Sequence, residues 1–213
     1  MRTPDPRLVA ALFARFAADR PDPRTELNFS NPFTLIVAVA LSAQTTDVAV
    51  NKATAPLFAL ADTPAAMLGL GEDRLMQMIG SLGLYRNKAR NVIQMCRILL
   101  ERYGGEVPLR REDLLTLPGV GNKTASVVLN ELHIEPAIAI DTHVFRVSHR
   151  LGLVDAAANT PDKVEARLMA VIPKKWLTRA HHWLILHGRY VCVARRPKCD
   201  ICVVNGLCPR IGL

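Results

Sequence analysis

The segment Leu117-Pro118-Gly119-Val120-Gly121-Asn122-Lys123-Thr124-Ala125 constrains the fold of this chain more than any other. Two glycines bracketing one apolar residue make a tight turn, because glycine takes positive φ without a steric penalty. Ahead of it, residues 112–117 read as a short helix that Pro118 ends. Behind it, residues 123–132 place Val127, Val128 and Leu132 at helical spacing. The pattern is helix, glycine hairpin, helix, with free backbone N–H groups opening the second helix. Such a terminus accepts an anion, and a nucleic-acid phosphate fits it.

Lys123 falls in the first turn of that second helix, where the positive end of the helix dipole disfavours an ammonium. A free lysine titrates near pKa ~10.4, so nucleophilic use requires a lowered value or a partner base. Asp141 is a candidate base. It stands in Ile140-Asp141-Thr142-His143-Val144-Phe145, after the short linker 133–139 and before a helical stretch at 142–151. A carboxylate at a helix start is held ionised. The plainer alternatives are a phosphate-contacting lysine and an aspartate that only caps its helix.

With 213 residues, half of them hydrophobic, the chain can bury a sizeable core as one large domain or two small ones. Lys and Arg total 27 against 19 Asp and Glu, and the net charge of +8 suits a polyanionic partner without requiring one. Residues 1–6 are polar and proline-bearing with no apolar run behind them, so no secretory signal is expected. The longest apolar run, 33–41, is interrupted by Thr34 and too short to span a bilayer. These features predict a soluble, cytoplasmic protein with no membrane partner.

Helical periodicity recurs along the chain and strand-like alternation does not. Helices are expected at 6–20, 33–41, 47–61, near 64, 72–79, 87–103, 142–151, 160–172 and 178–190. Asn31-Pro32 is a capping residue followed by proline at the first helical position. Pro56 should kink or split its helix. The fold class is all-α.

Cys192, Cys199, Cys202 and Cys208 follow the pattern C-x6-C-x2-C-x5-C. Four thiolates in so short a loop suit a tetrahedral zinc or an iron–sulfur cluster, and spacing alone leaves both open. Arg195, Arg196 and Lys198 lie between the first two cysteines, where a metal-pinned loop would present cations to phosphates. Cys96 stands apart on a helix face and reads as core packing.

Taken together, these residues resemble the endonuclease III branch of the helix-hairpin-helix DNA glycosylases. The resemblance covers essentially the whole chain. It rests on Leu41-Ser42-Ala43-Gln44-Thr45-Thr46-Asp47, Gly83-Leu84-Tyr85, the hairpin, Asp141-Thr142-His143 and the four cysteines. It implies two lobes flanking a DNA-binding cleft, a six-helix lobe at 24–132 and a cluster lobe from 1–23 and 133–213. It implies a [4Fe-4S] cluster on Cys192, Cys199, Cys202 and Cys208, mainly architectural for DNA binding. It also implies a monomeric bacterial enzyme of the nucleoid, acting on double-stranded DNA with a damaged pyrimidine or an abasic site.

By the same resemblance Lys123 and Asp141 are catalytic. Gln44 fills the gap left by an extruded nucleotide, Leu84 wedges the opposite strand, and Gly119, Val120 and Gly121 hold a phosphate. Asn122 departs from the family, whose members often carry Arg there. A mismatch glycosylase of the same superfamily, specific for thymine or for adenine, is the nearest alternative, and similar residues can host the thymine pocket. Its adenine branch places a carboxylate before the Gln44 loop and lacks the hairpin lysine, whereas 35–41 here has no carboxylate. Outside the enzymes, a non-catalytic iron–sulfur DNA-binding protein or a zinc protein keeps the same hairpin or cysteines.

Overall fold

Most of the longer helices begin on a side-chain cap, which satisfies N–H groups that the helix itself leaves open. In the computed structural model, which describes residues 4–213, Asp5 caps α1 (Pro6–Asp19) and Asn31 caps α2 (Pro32–Leu41). Thr46 caps α3 (Asp47–Leu60) and Thr63 caps α4 (Pro64–Leu70). After α5 (Glu72–Met78) and α6 (Tyr85–Tyr103) come α7 (Arg111–Leu114) and α8 (Asn122–Glu131). Asp141 caps α9 (Thr142–Arg150), Thr160 caps α10 (Pro161–Val171), and α11 is Leu177–Tyr190. One-turn 3-10 helices at Lys174–Trp176 and Cys199–Ile201 complete the elements. The described residues contain no strand, so the all-α reading holds. The expected signal-free start falls partly on residues 1–3, which lie outside the described residues.

The chain divides into two compact units. One is Thr25–Ile134; the other joins Glu135–Leu213 to the described residues up to Arg24. In the first, α2 is buried on every side apart from Pro32 and Ala40, as its uniform apolarity predicts. Its start is a capping box. Asn31 Oδ1 accepts from Thr34 N at 2.8 Å, while Thr34 Oγ1 accepts from Asn31 N at 3.0 Å. Each fully buried side chain such as Leu35, Ile36 or Leu57 contributes about 1.5–3 kcal/mol. Cys96 lies in this core, and burial pushes its thiol up to about 12, which fits inert packing.

Pro56 does not split α3, contrary to one of the two outcomes expected of it: the helix runs unbroken from Asp47 to Leu60. Pro56 is on the exposed face. The carbonyl that its missing N–H leaves unbonded can therefore be satisfied by water.

In the second unit, Leu12, Phe13 and Phe16 of α1 pack with Val144 and Val147 of α9, Leu168 of α10 and Trp183 and Leu184 of α11. The Trp183 indole N–H donates to Arg20 O at 2.8 Å, so the ring is buried with its polar atom satisfied. α9 and α11 approach closely at Gly188, where an added Cβ would lie 2.8 Å from His143 Cβ. No single helix among the described residues is long and apolar enough to cross a membrane.

Candidate functional site

α7 and α8 form the two arms of the hairpin, braced by Arg111 Nη1 donating to Ser126 Oγ at 3.0 Å. Gly119 takes φ +80 at the turn, as the sequence requires. Gly121 does not share that geometry. It is extended at φ −103, ψ −178 and serves as the N-cap of α8, so the expectation that both glycines supply positive φ is corrected to one. Without a side chain, Gly121 leaves the first N–H groups of α8 uncapped by protein. Val120 turns its side chain into the core, 7% exposed, and its N–H is tied to Leu117 O at 3.1 Å. Its side chain anchors the turn.

Lys123, the second residue of α8, is exposed and makes no side-chain hydrogen bond or ion pair among the described residues. Its amine is therefore available to an external group. Asn122 precedes it, also exposed.

Asp141 belongs to the other unit. Its Oδ1 accepts from His143 N at 2.9 Å and Val144 N at 2.8 Å, fixing the carboxylate on the start of α9. The second oxygen, Oδ2, makes no hydrogen bond among the described residues. One residue thus caps the helix and still offers an oriented oxygen. His143 packs over Gly188, with Nδ1 3.3 Å from Arg146 Nη2, so it is held within the fold.

Cys192, Cys199, Cys202 and Cys208 line a single pocket with Leu151, His187 and Val191. Burial pushes the Cys202 and Cys208 thiols up. Backbone donors at Val204 and Arg210 oppose this, and repulsion among the four sulfurs adds to it. Sulfurs that disfavour one another's ionisation suit a cationic centre that replaces their protons. Among the described residues, no three His, Cys, Asp or Glu side chains converge as ligands of one ion. Four thiols lining one pocket suit a polynuclear iron–sulfur centre.

Three residues that sequence reasoning passed over hold this loop. Arg146 donates through Nε to Cys192 O at 3.2 Å and through Nη2 to Gly188 O at 2.8 Å. Arg150 donates to Val193 O at 2.8 Å and Ala194 O at 3.0 Å. His187 accepts from Cys192 N at its carbonyl, 2.7 Å away, and places Nε2 3.6 Å from Cys202 Sγ. Burial, only partly offset by Asp19, lowers its pKa to about 4, so the ring is neutral. Arg195, Arg196 and Lys198 project from the loop, exposed and without side-chain partners among the described residues.

Gln44 and Leu84 are both exposed in the first unit, and both occupy the left-handed region, at φ 55 and φ 59. Leu84 is the N-cap residue of α6.

A helix-hairpin-helix with this lysine and this cysteine loop defines a class: residues 37–174 match the HhH-GPD superfamily of base excision DNA repair proteins. Residues 192–208 match the iron–sulfur binding domain of endonuclease III. The endonuclease III of Rickettsia conorii is 53% identical over 202 residues, 95% of this chain and 95% of its own length. That of Escherichia coli K12 is 52% identical over 197 residues, 92% of each. Among solved structures, a trapped endonuclease III–DNA covalent intermediate is similar with a TM-score of 0.88 and 44% identity, covering 97% of this chain and 96% of that one. The chain belongs to the endonuclease III family.

Proposed function

We infer that this chain is a bifunctional DNA glycosylase and abasic-site lyase acting on oxidised or ring-saturated pyrimidines in double-stranded DNA. The observation that carries this reading is Lys123, an unpartnered amine one residue into α8 behind an uncapped hairpin, in a member of the endonuclease III family. The open N–H groups of α8 hold a phosphate of the damaged strand. Gln44 fills the space vacated by the flipped nucleotide and Leu84 enters the opposite stack.

As the neutral amine of Lys123 bonds to C1′, the bond from C1′ to the base breaks and the base leaves with the electron pair. Asp141, fixed through Oδ1, offers Oδ2 either to take the proton that the amine releases or to stabilise the cationic character that develops at the sugar. Opening of the sugar ring gives a Schiff base, which acidifies the C2′ proton. Its removal expels the 3′ phosphate, cutting the strand by β-elimination. Cys192, Cys199, Cys202 and Cys208 hold the [4Fe-4S] cluster. When bound, it supplies rigidity to the loop that carries Arg195, Arg196 and Lys198 toward the DNA backbone. The setting inferred is the cytoplasm of a bacterium, with the protein working as a monomer on the nucleoid.

Borohydride trapping on abasic-site DNA tests the assignment. Covalent capture by the native protein and its loss in Lys123→Gln, with DNA binding kept, is the expected result. Binding without capture by the native protein would leave a non-catalytic iron–sulfur DNA-binding protein.

A further inference from the structure

Lys88 is the least expected buried side chain in the molecule. It lies on the first turn of α6, 7% exposed, and makes no ion pair among the described residues. Burial disfavours an ammonium, and so does the positive end of the helix dipole. Burial holds its pKa below the ordinary lysine value. A methionine would fill such a position without either penalty, so the charge has to be explained by what it touches.

What it touches is the Gln44 loop. Lys88 Nζ donates to Thr45 Oγ1 at 2.8 Å, and that hydroxyl donates in turn to Ala43 O at 3.3 Å. The two bonds bracket Gln44 from both of its neighbours. Gln44 itself is at φ 55, a conformation that costs a non-glycine residue about 1–2 kcal/mol and persists only where its surroundings enforce it. At its other end Lys88 is tied to Leu84, because Lys88 N donates to Leu84 O at 3.0 Å. Leu84, Lys88 and Asn91 follow an i, i+4, i+7 spacing and share one face of α6. Asn91 abuts the hairpin at Gly119, where an added Cβ would lie 3.2 Å from Asn91 Cβ.

We propose that Lys88 is a positioning residue: its bond to Thr45 locks the Gln44 loop onto the turn of α6 that carries Leu84, so that both side chains enter the duplex as one rigid pair. This rests on the roles proposed above for Gln44 and Leu84. The hydrogen bond to a cation supplies rigidity that a hydrophobic contact would not, since it fixes direction as well as distance.

The test compares single-turnover base removal from two substrates with the cluster-loaded protein. One is a paired duplex with a single dihydrouracil; the other carries the same base within an unpaired bubble, where nothing has to be displaced. Lys88→Met and Thr45→Val should each slow reaction on the duplex about tenfold, the scale of one hydrogen bond to a charged group, with bubble rates held within about twofold. The double variant should be no slower than the worse single one, and Thr45→Ser should restore the duplex rate. Equal losses on both substrates, or none on the duplex, would overturn the proposal. Gln44→Ala serves as the reference. If it slows the duplex selectively and Lys88→Met does not, the positioning role fails alone. If Gln44→Ala shows no selectivity, the role of Gln44 fails and that of Lys88 goes with it.

Discussion

Arg150 Nη1 lies 3.5 Å from Cys192 Sγ, and the same guanidinium donates to the carbonyls of the next two residues, Val193 and Ala194. Once Cys192 is a thiolate, the Arg150 contact becomes charge-assisted. Partners of this kind orient ligands and sustain affinity for the metal centre. Arg150→Met should therefore release the cluster to a chelator about 10–100 times faster, followed through loss of the visible iron–sulfur absorbance. A release rate equal to that of the native protein would mean that the cysteine loop keeps its shape without the arginine.

The cap that Asp141 forms and the catalytic role proposed for it can be separated by substitution. Asparagine keeps an oxygen for His143 N and Val144 N, so Asp141→Asn should melt like the native protein, while Asp141→Ala should lose about 1 kcal/mol with its cap. Turnover should fall about 100-fold or more in both, because neither retains the carboxylate charge and its free oxygen. Affinity for uncleaved DNA should change little. Parallel losses of turnover and affinity in Asp141→Asn would reduce the residue to a helix cap.

These contrasts show which kinds of feature a sequence makes legible. The hairpin, the Asn31-Pro32 helix start and the four cysteines are local, so their spacing expresses their geometry directly. Arg146, Arg150 and His187 act on partners that the fold brings near. On its own helix each reads as a solvated cation or an ordinary histidine, and only tertiary packing brings both arginines against the Cys192 loop. Lys88 is harder still to foresee. A lysine in the first turn of an amphipathic helix normally reaches water, and nothing in residues 85–103 marks this one for burial. The inside of the hairpin is hidden for a subtler reason. A Gly-x-Gly pattern announces a turn but not which residue faces inward or which glycine bears the positive φ.

Arg195 and Arg196 allow a direct test of whether the cluster loop contacts DNA. Both are exposed with no side-chain partners among the described residues, so their loss should leave the fold and the visible spectrum intact. Each phosphate contact removed should lower the slope of log affinity against log salt by about 1, giving a reduction of about 2 for the double alanine variant. A slope identical to the native one would take this loop off the DNA surface.

The hairpin glycines provide the sharpest separation of folding from binding. At Gly119, φ +80 is a left-handed geometry, and an added Cβ would meet Asn91 Cβ and Nδ2 at 3.2 Å. Gly119→Ala should therefore cost about 1–2 kcal/mol in thermal or denaturant unfolding, and binding should weaken with it. At Gly121, φ is −103 and no atom lies within 4 Å of an added Cβ, so Gly121→Ala should unfold like the native protein. Its methyl group would nevertheless stand at the mouth of the uncapped α8 terminus. If a phosphate docks there, affinity for DNA should drop about tenfold, the scale of one hydrogen bond to a charged group, with no change in stability. Native-like affinity in Gly121→Ala would place the phosphate elsewhere and leave the hairpin with a purely architectural part.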